Sequence, residues 1–107
     1  MKILCDVHSN SDTAFLDRCA GKDIYVLATI DGPMDLYWIK VTDMTDTFYV
    51  CDVFWVTRRN HYDMLNHYRE YTVGRSRIHL VQPREILSGN ELHSAMSEQA
   101  YHEECGV

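Results

Sequence analysis

Residues 47–57 read Thr47-Phe48-Tyr49-Val50-Cys51-Asp52-Val53-Phe54-Trp55-Val56-Thr57. Phe48, Val50, Asp52, Phe54 and Val56 alternate with Tyr49, Cys51, Val53 and Trp55, so a strand here is apolar on both faces. Such a strand belongs in the middle of a sheet and needs cover on each side. Either a helix from elsewhere in the chain crosses to the second face, or Tyr49, Val53 and Trp55 meet a partner or a second copy of the chain. The one charge in the run, Asp52, is expected at a strand bulge or against an arginine.

Upstream, 36–42 alternates Tyr37, Ile39 and Val41 against Leu36, Trp38, Lys40 and Thr42, and 23–30 is a further strand, ended by the turn residues Asp31-Gly32-Pro33-Met34. Short polar connections join these three strands, as in an antiparallel meander. Before them, 1–7 reads as a strand and Phe15, Leu16 and Cys19 as the stripe of a short helix, with Ser9 or Ser11 as N-cap and Gly21 as its stop.

Downstream, Asn60 offers an N-cap, and His61, Met64, Leu65, Tyr68, Tyr71 and Thr72 fall within an arc of about 120° at helical spacing. A helix over 60–72 is therefore expected, followed by a strand over 77–82 that Pro83 ends. Ser88-Gly89-Asn90-Glu91 is a capping box that opens a last helix through about 103. The resulting order, β-α-β-β-β-α-β-α, implies one α+β domain over 1–107 with a mainly antiparallel sheet of about five strands. A ferredoxin-like variant is the topology this order suggests, with 85–107 as an acidic helical segment.

The chain has 107 residues and a net charge of −6, and its composition is that of an ordered globular protein. The charge is segregated. Residues 1–57 carry nine Asp against Lys2, Arg18, Lys22 and Lys40; 58–84 carry six Arg against Asp63 and Glu70; 85–107 carry five Glu and no Lys or Arg. This acidic, basic, acidic layout bears on partner choice. The short apolar run Ile3-Leu4-Cys5 is too brief for a membrane span or a signal-peptide core, so a cytoplasmic protein without membrane contact is expected. Four cysteines without a Cys-x-x-Cys pair suggest buried free thiols. Mid-strand Cys51 is expected to be inert.

Asp6-Val7-His8, at the end of the first expected strand, resembles the opening motif of calcineurin-like metallophosphoesterases. The resemblance implies a two-metal phosphoesterase site in which Asp31 and His61 join Asp6 and His8. The chain has Ile30-Asp31 where that family has Gly-Asp, Arg59-Asn60-His61 where it has Gly-Asn-His, and no later Gly-His-x-His. On their own chemistry, Asp6 and His8 close a strand and Ser9 caps a helix. His102 and Cys105 could contribute to a zinc site but lack identifiable co-ligands. No nucleophile elbow, phosphate loop or dinucleotide turn occurs. No cofactor is expected.

The remaining reading is a small non-enzymatic protein that contacts and modulates or inhibits a partner protein, similar in type to bacteriophage accessory proteins. The expected contacts are Arg58, Arg59, Arg75 and Arg77 as a basic patch, Tyr49 and Trp55 on the strand face, and Glu91, Glu98 and Glu103 on the last helix. Self-association into a homodimer is a related expectation. The alternatives are the Asp6/His8 phosphoesterase and nucleic-acid or nucleotide binding through the arginines of 58–84. Against all of these stands the plainer expectation that the arginines pair with the chain's own carboxylates.

Overall fold

The structure, a computed structural model, describes residues 11–56 and 64–104, with side chains described for 11–56 and 67–96. Helix α1 (Asp12–Cys19) is followed by strands β1 (Ile24–Ile30), β2 (Leu36–Met44), β3 (Phe48–Val56) and β4 (Met64–Gly74). A single 3₁₀ turn (Arg75–Arg77) leads into β5 (Ile78–Leu80), then β6 (Ile86–Ser88) and helix α2 (Gly89–Glu104). The strand order is β4-β3-β2-β1-β5, with β6 also on β1 and every described pairing antiparallel. The α+β class and the mainly antiparallel sheet are as expected from the sequence.

Two sequence expectations give way. Residues 64–74 form a strand, not a helix: β4 pairs with β3 from Phe48↔Gly74 to Val56↔Met64. The ferredoxin-like crossover is absent among the described residues, because β1 to β4 follow one another as a meander with no helix between the fourth and fifth strands. The expected strand at 1–7 lies outside the described residues.

A flat sheet in this order would place β4 about 19 Å from β5, at roughly 4.8 Å per strand. Only Arg75–Arg77 connect them, and four Cα steps reach at most about 14 Å even fully extended. The sheet therefore curls into a partly open barrel. Val73 of β4 accordingly joins Ile78 and Leu80 of β5 in one core with Val26, Ala28, Ile39, Val41, Cys51 and Val53. β5 and β6 act as one interrupted strand, pairing with the two ends of β1 (Ala28↔Leu80 and Ile24↔Ser88), while Leu27 bridges the gap through Val81 and Glu85.

Helix α1 plugs the barrel. Ser11 caps it by accepting from the Ala14 N–H at 3.2 Å, and Gly21, with φ of +78°, turns the chain out of it. Leu16 packs into the barrel core, and the Leu80 N–H donates to Asp12 at 3.0 Å. The hydroxyl of fully buried Tyr49 donates toward the Thr13 carbonyl (3.2 Å) and Asp17 (2.8 Å), and Arg75 holds the other oxygen of Asp17 at 2.5 Å.

The second face of the sheet is also covered. Helix α2 crosses it, seating Leu92 and Met96 against Tyr25, Leu27, Leu36, Trp38, Phe54 and Val56. The capping box forms as the sequence implies: the Ser88 hydroxyl accepts from the Glu91 N–H (3.2 Å) and Glu91 accepts from the Ser88 N–H (2.8 Å). Of the two ways to cover the double-sided strand β3, the chain uses its own helix. No helix among the described residues is long and apolar enough to cross a membrane.

Candidate functional sites: a cleft under the last helix and an aromatic ladder

One bulge in β4 shapes both surfaces. Across β3, Cys51 faces Tyr71 but Val53 faces Tyr68, so β4 fits one extra residue opposite Asp52. Glu70 takes up the mismatch with a positive φ of 52°, an uncommon conformation for a residue with a side chain. Consequently Tyr68 and Tyr71, three apart, share one face of the sheet, while His67, Arg69 and Glu70 line the other.

On that other face lies an open cleft of about 420 Å³, lined by Tyr25, Lys40, Thr42, Asp52, Phe54, His67, Arg69, Glu70 and His93. The cross-strand pair Phe54↔His67 belongs to its lining, and α2 contributes His93 to the wall. The His67 ring stacks on Phe54 at 4.0 Å and 8° between planes, and His93 meets Phe54 edge-on at 6.4 Å. Asp52 accepts from the Tyr25 hydroxyl at 2.5 Å through one oxygen and from His67 Nε2 through the other. Burial, followed by that hydrogen bond to Asp52, pushes the Tyr25 hydroxyl above the ordinary phenol range. The Lys40 ammonium lies 5.2 Å over the Tyr25 ring and 3.5 Å from Asp23.

On the first face, Tyr37 pairs with Trp55 across β2 and β3, and Tyr68 and Tyr71 stand beside them with rings 5.9 Å apart. Tyr68 and Tyr71 are 42% and 38% exposed, which places them at the surface despite their aromatic bulk. Burial, then the nearby Asp35, Tyr71, Tyr68 and Asp31, raise the Tyr37 hydroxyl above its usual range. The cluster at this end of the barrel is thus four aromatic rings beside carboxylates.

The expected site residues distribute as follows. Tyr49 is buried in the barrel core and unavailable to a partner, whereas Trp55 is half-buried in the ladder. Arg75 is held by Asp17 and the Thr45 carbonyl, and Arg77 chelates Asp31 through two nitrogens, so these two arginines are engaged by the chain's own carboxylates. That contact holds the Asp31 carboxyl below its usual range. Glu91 caps α2, while Glu98 and Glu103 lie on α2 with side chains outside the described set. Arg58, Arg59, Asp6, His8 and His61 are outside the described residues, among which no group of three ligands could hold a metal ion.

Sequence reading missed Lys40, His67, Arg69 and His93 as neighbours, because they come from β2, β4 and α2 and no local spacing links them. Asp52 was visible as an anomaly, but its partners were not.

Cys51 provides a direct check on the core. Burial, with a lesser contribution from Asp52, pushes its thiol up to about 12, so it should stay protonated and unlabelled by iodoacetamide in native protein. Peptide mapping after labelling should find Cys51 modified only once denaturant is added; rapid native labelling would mean that the barrel opens at β3.

No protein-family model, curated protein or solved structure matches the chain.

Proposed function

We propose that this protein is a binding module that docks on, and thereby modulates, a partner protein presenting basic side chains. The observation that carries this reading is the ladder on the face away from α2, in which Tyr68 and Tyr71 are exposed beside the half-buried Tyr37 and Trp55. Tyrosine and tryptophan supply large contact area at little cost in side-chain entropy, and their ring faces attract Lys and Arg. Asp35, exposed beside Tyr37, adds a carboxylate, and the chain's net charge of −6 favours approach by a cationic surface. Docking of a second copy of the same acidic chain would bring like charges together, which makes a basic partner the better fit.

The test is affinity capture with the wild type and with the Tyr68→Ala/Tyr71→Ala double variant, after circular dichroism has verified that both are folded. Wild type should recover one stoichiometric partner, by a salt-sensitive interaction that the double variant weakens by at least about 2 kcal/mol. Equal recovery by the two proteins, or recovery of only a second copy of the chain, would reject this surface.

A further inference from the structure

We propose that the cleft between α2 and strands β2–β4 is a binding site for a small planar anion, an aromatic ring carrying a phosphate or carboxylate. The site lies on the opposite face of the sheet from the aromatic ladder, so it does not rest on the docking reading.

Three observations carry it. First, His67 is held from two directions: Phe54 stacks on one face of its ring and Asp52 takes its Nε2. His67 lines the cleft, so a ring held in this way is a stacking platform fixed before a ligand arrives. Second, Arg69 stands apart from the other arginines of β4 and its continuation. Arg75, Arg77 and Arg84 each face an aspartate of the chain (Asp17, Asp31 and Asp12), whereas Arg69 lines the cleft without an ion pair among the described residues. Third, Arg69 follows His67 by two residues and so shares its face of β4 by ordinary strand alternation, which puts both side chains in the lining of one cleft.

The group that would take an anion is Arg69, with Lys40 as a second cation of the cleft. The two cations sit two strands apart, about 10 Å across the sheet, with Asp52 of β3 between them and the Phe54–His67 pair to one side. Asp52 has both oxygens turned to Tyr25 and His67, and Lys40 is shared with Asp23, so Arg69 is the cation left to meet an incoming anion, with Asp52 and Glu70 as the opposing charges that would limit its affinity. A volume of about 420 Å³ lies in the range of small-molecule sites. A planar ring on His67, edged by His93, would direct its acidic group to the guanidinium of Arg69, the group best shaped to grip phosphate or carboxylate.

The test is titration of the ¹⁵N-labelled chain with adenosine monophosphate, benzoate, adenosine and inorganic phosphate separately, following backbone amide shifts. Saturable shifts centred on Phe54, His67, Arg69 and His93 are expected with one or both ring-bearing anions, and the better of the two identifies the acidic group. The exposed substitution Arg69→Gln should weaken that binding by about tenfold or more, whereas Arg77→Gln on the other face should leave it unchanged. The site is overturned if neither ring-bearing anion gives saturable shifts in the millimolar range, if Arg69→Gln binds as well as wild type, or if inorganic phosphate alone binds as tightly as either.

Discussion

Tyr49→Ala is expected to cost about 3–5 kcal/mol of stability, seen as a lower urea midpoint with little change in slope. The ring fills the end of the barrel where α1 enters, is fully buried, and has the Arg75 guanidinium 5.2 Å from its centre. Its loss leaves a cavity in the core that contains Leu16 and removes two of the bonds between α1 and the sheet, leaving those of Asp12 to Leu80 and Asp17 to Arg75. Tyr49→Phe separates these contributions, keeping the ring and losing only the hydroxyl, and should cost about 1 kcal/mol. It should also change the response to alkali. Burial, and then the bond to Asp17, keep the native Tyr49 hydroxyl protonated above the usual range, whereas the unfolded phenol ionises near pH 10. The stabilisation is thus complete below about pH 10 and lost as pH rises further. Tyr49→Phe should flatten that alkaline decline; an unchanged slope would place its cause at Tyr25 or elsewhere.

Leu92→Ala is expected to cost about 2–5 kcal/mol and, with it, the wall of the cleft. Leu92 is the fully buried side chain through which α2 joins the second core cluster, supported by Met96 one turn on. Among the described residues the helix is otherwise held by its cap, by β6 and by the edge-on contact of His93 with Phe54. A loosened α2 would expose Trp38 and Phe54, giving a red shift in tryptophan emission and uptake of a hydrophobic dye before global unfolding. Wild-type emission and stability in Leu92→Ala would mean that α2 is not required to cover this face.

How much of this was legible beforehand depends on which contacts are local. The meander β1–β3, the capping box at Ser88 and Glu91 and the short first helix are written in alternation and cap residues within a few positions of one another. The error over 60–72 has a definite cause. The bulge at Glu70 shifts the phase of β4, so Tyr68 and Tyr71 fall on one face at a spacing of three, which is the spacing a helix would give them. A strand with one extra residue imitates helical periodicity over so short a window, even though Tyr, Thr and Val at 71–73 favour a strand. The cleft was hidden for a different reason. Its members meet only after the sheet has curled and α2 has folded back across it, and neither event leaves a local pattern.

The ion pairs give the charge segregation a direction in time. Asp12 with Arg84, Asp17 with Arg75 and Asp31 with Arg77 each join the acidic first part of the chain to the segment between 75 and 84. During synthesis, residues 1–57 emerge with nine aspartates and four basic residues, before any of these partners exists. Their mutual repulsion disfavours early collapse of that half, and the arginines that relieve it arrive together with β4 and β5, the strands that close the barrel. Neutralisation and closure are therefore one step, which ties completion of the fold to emergence of the arginine segment.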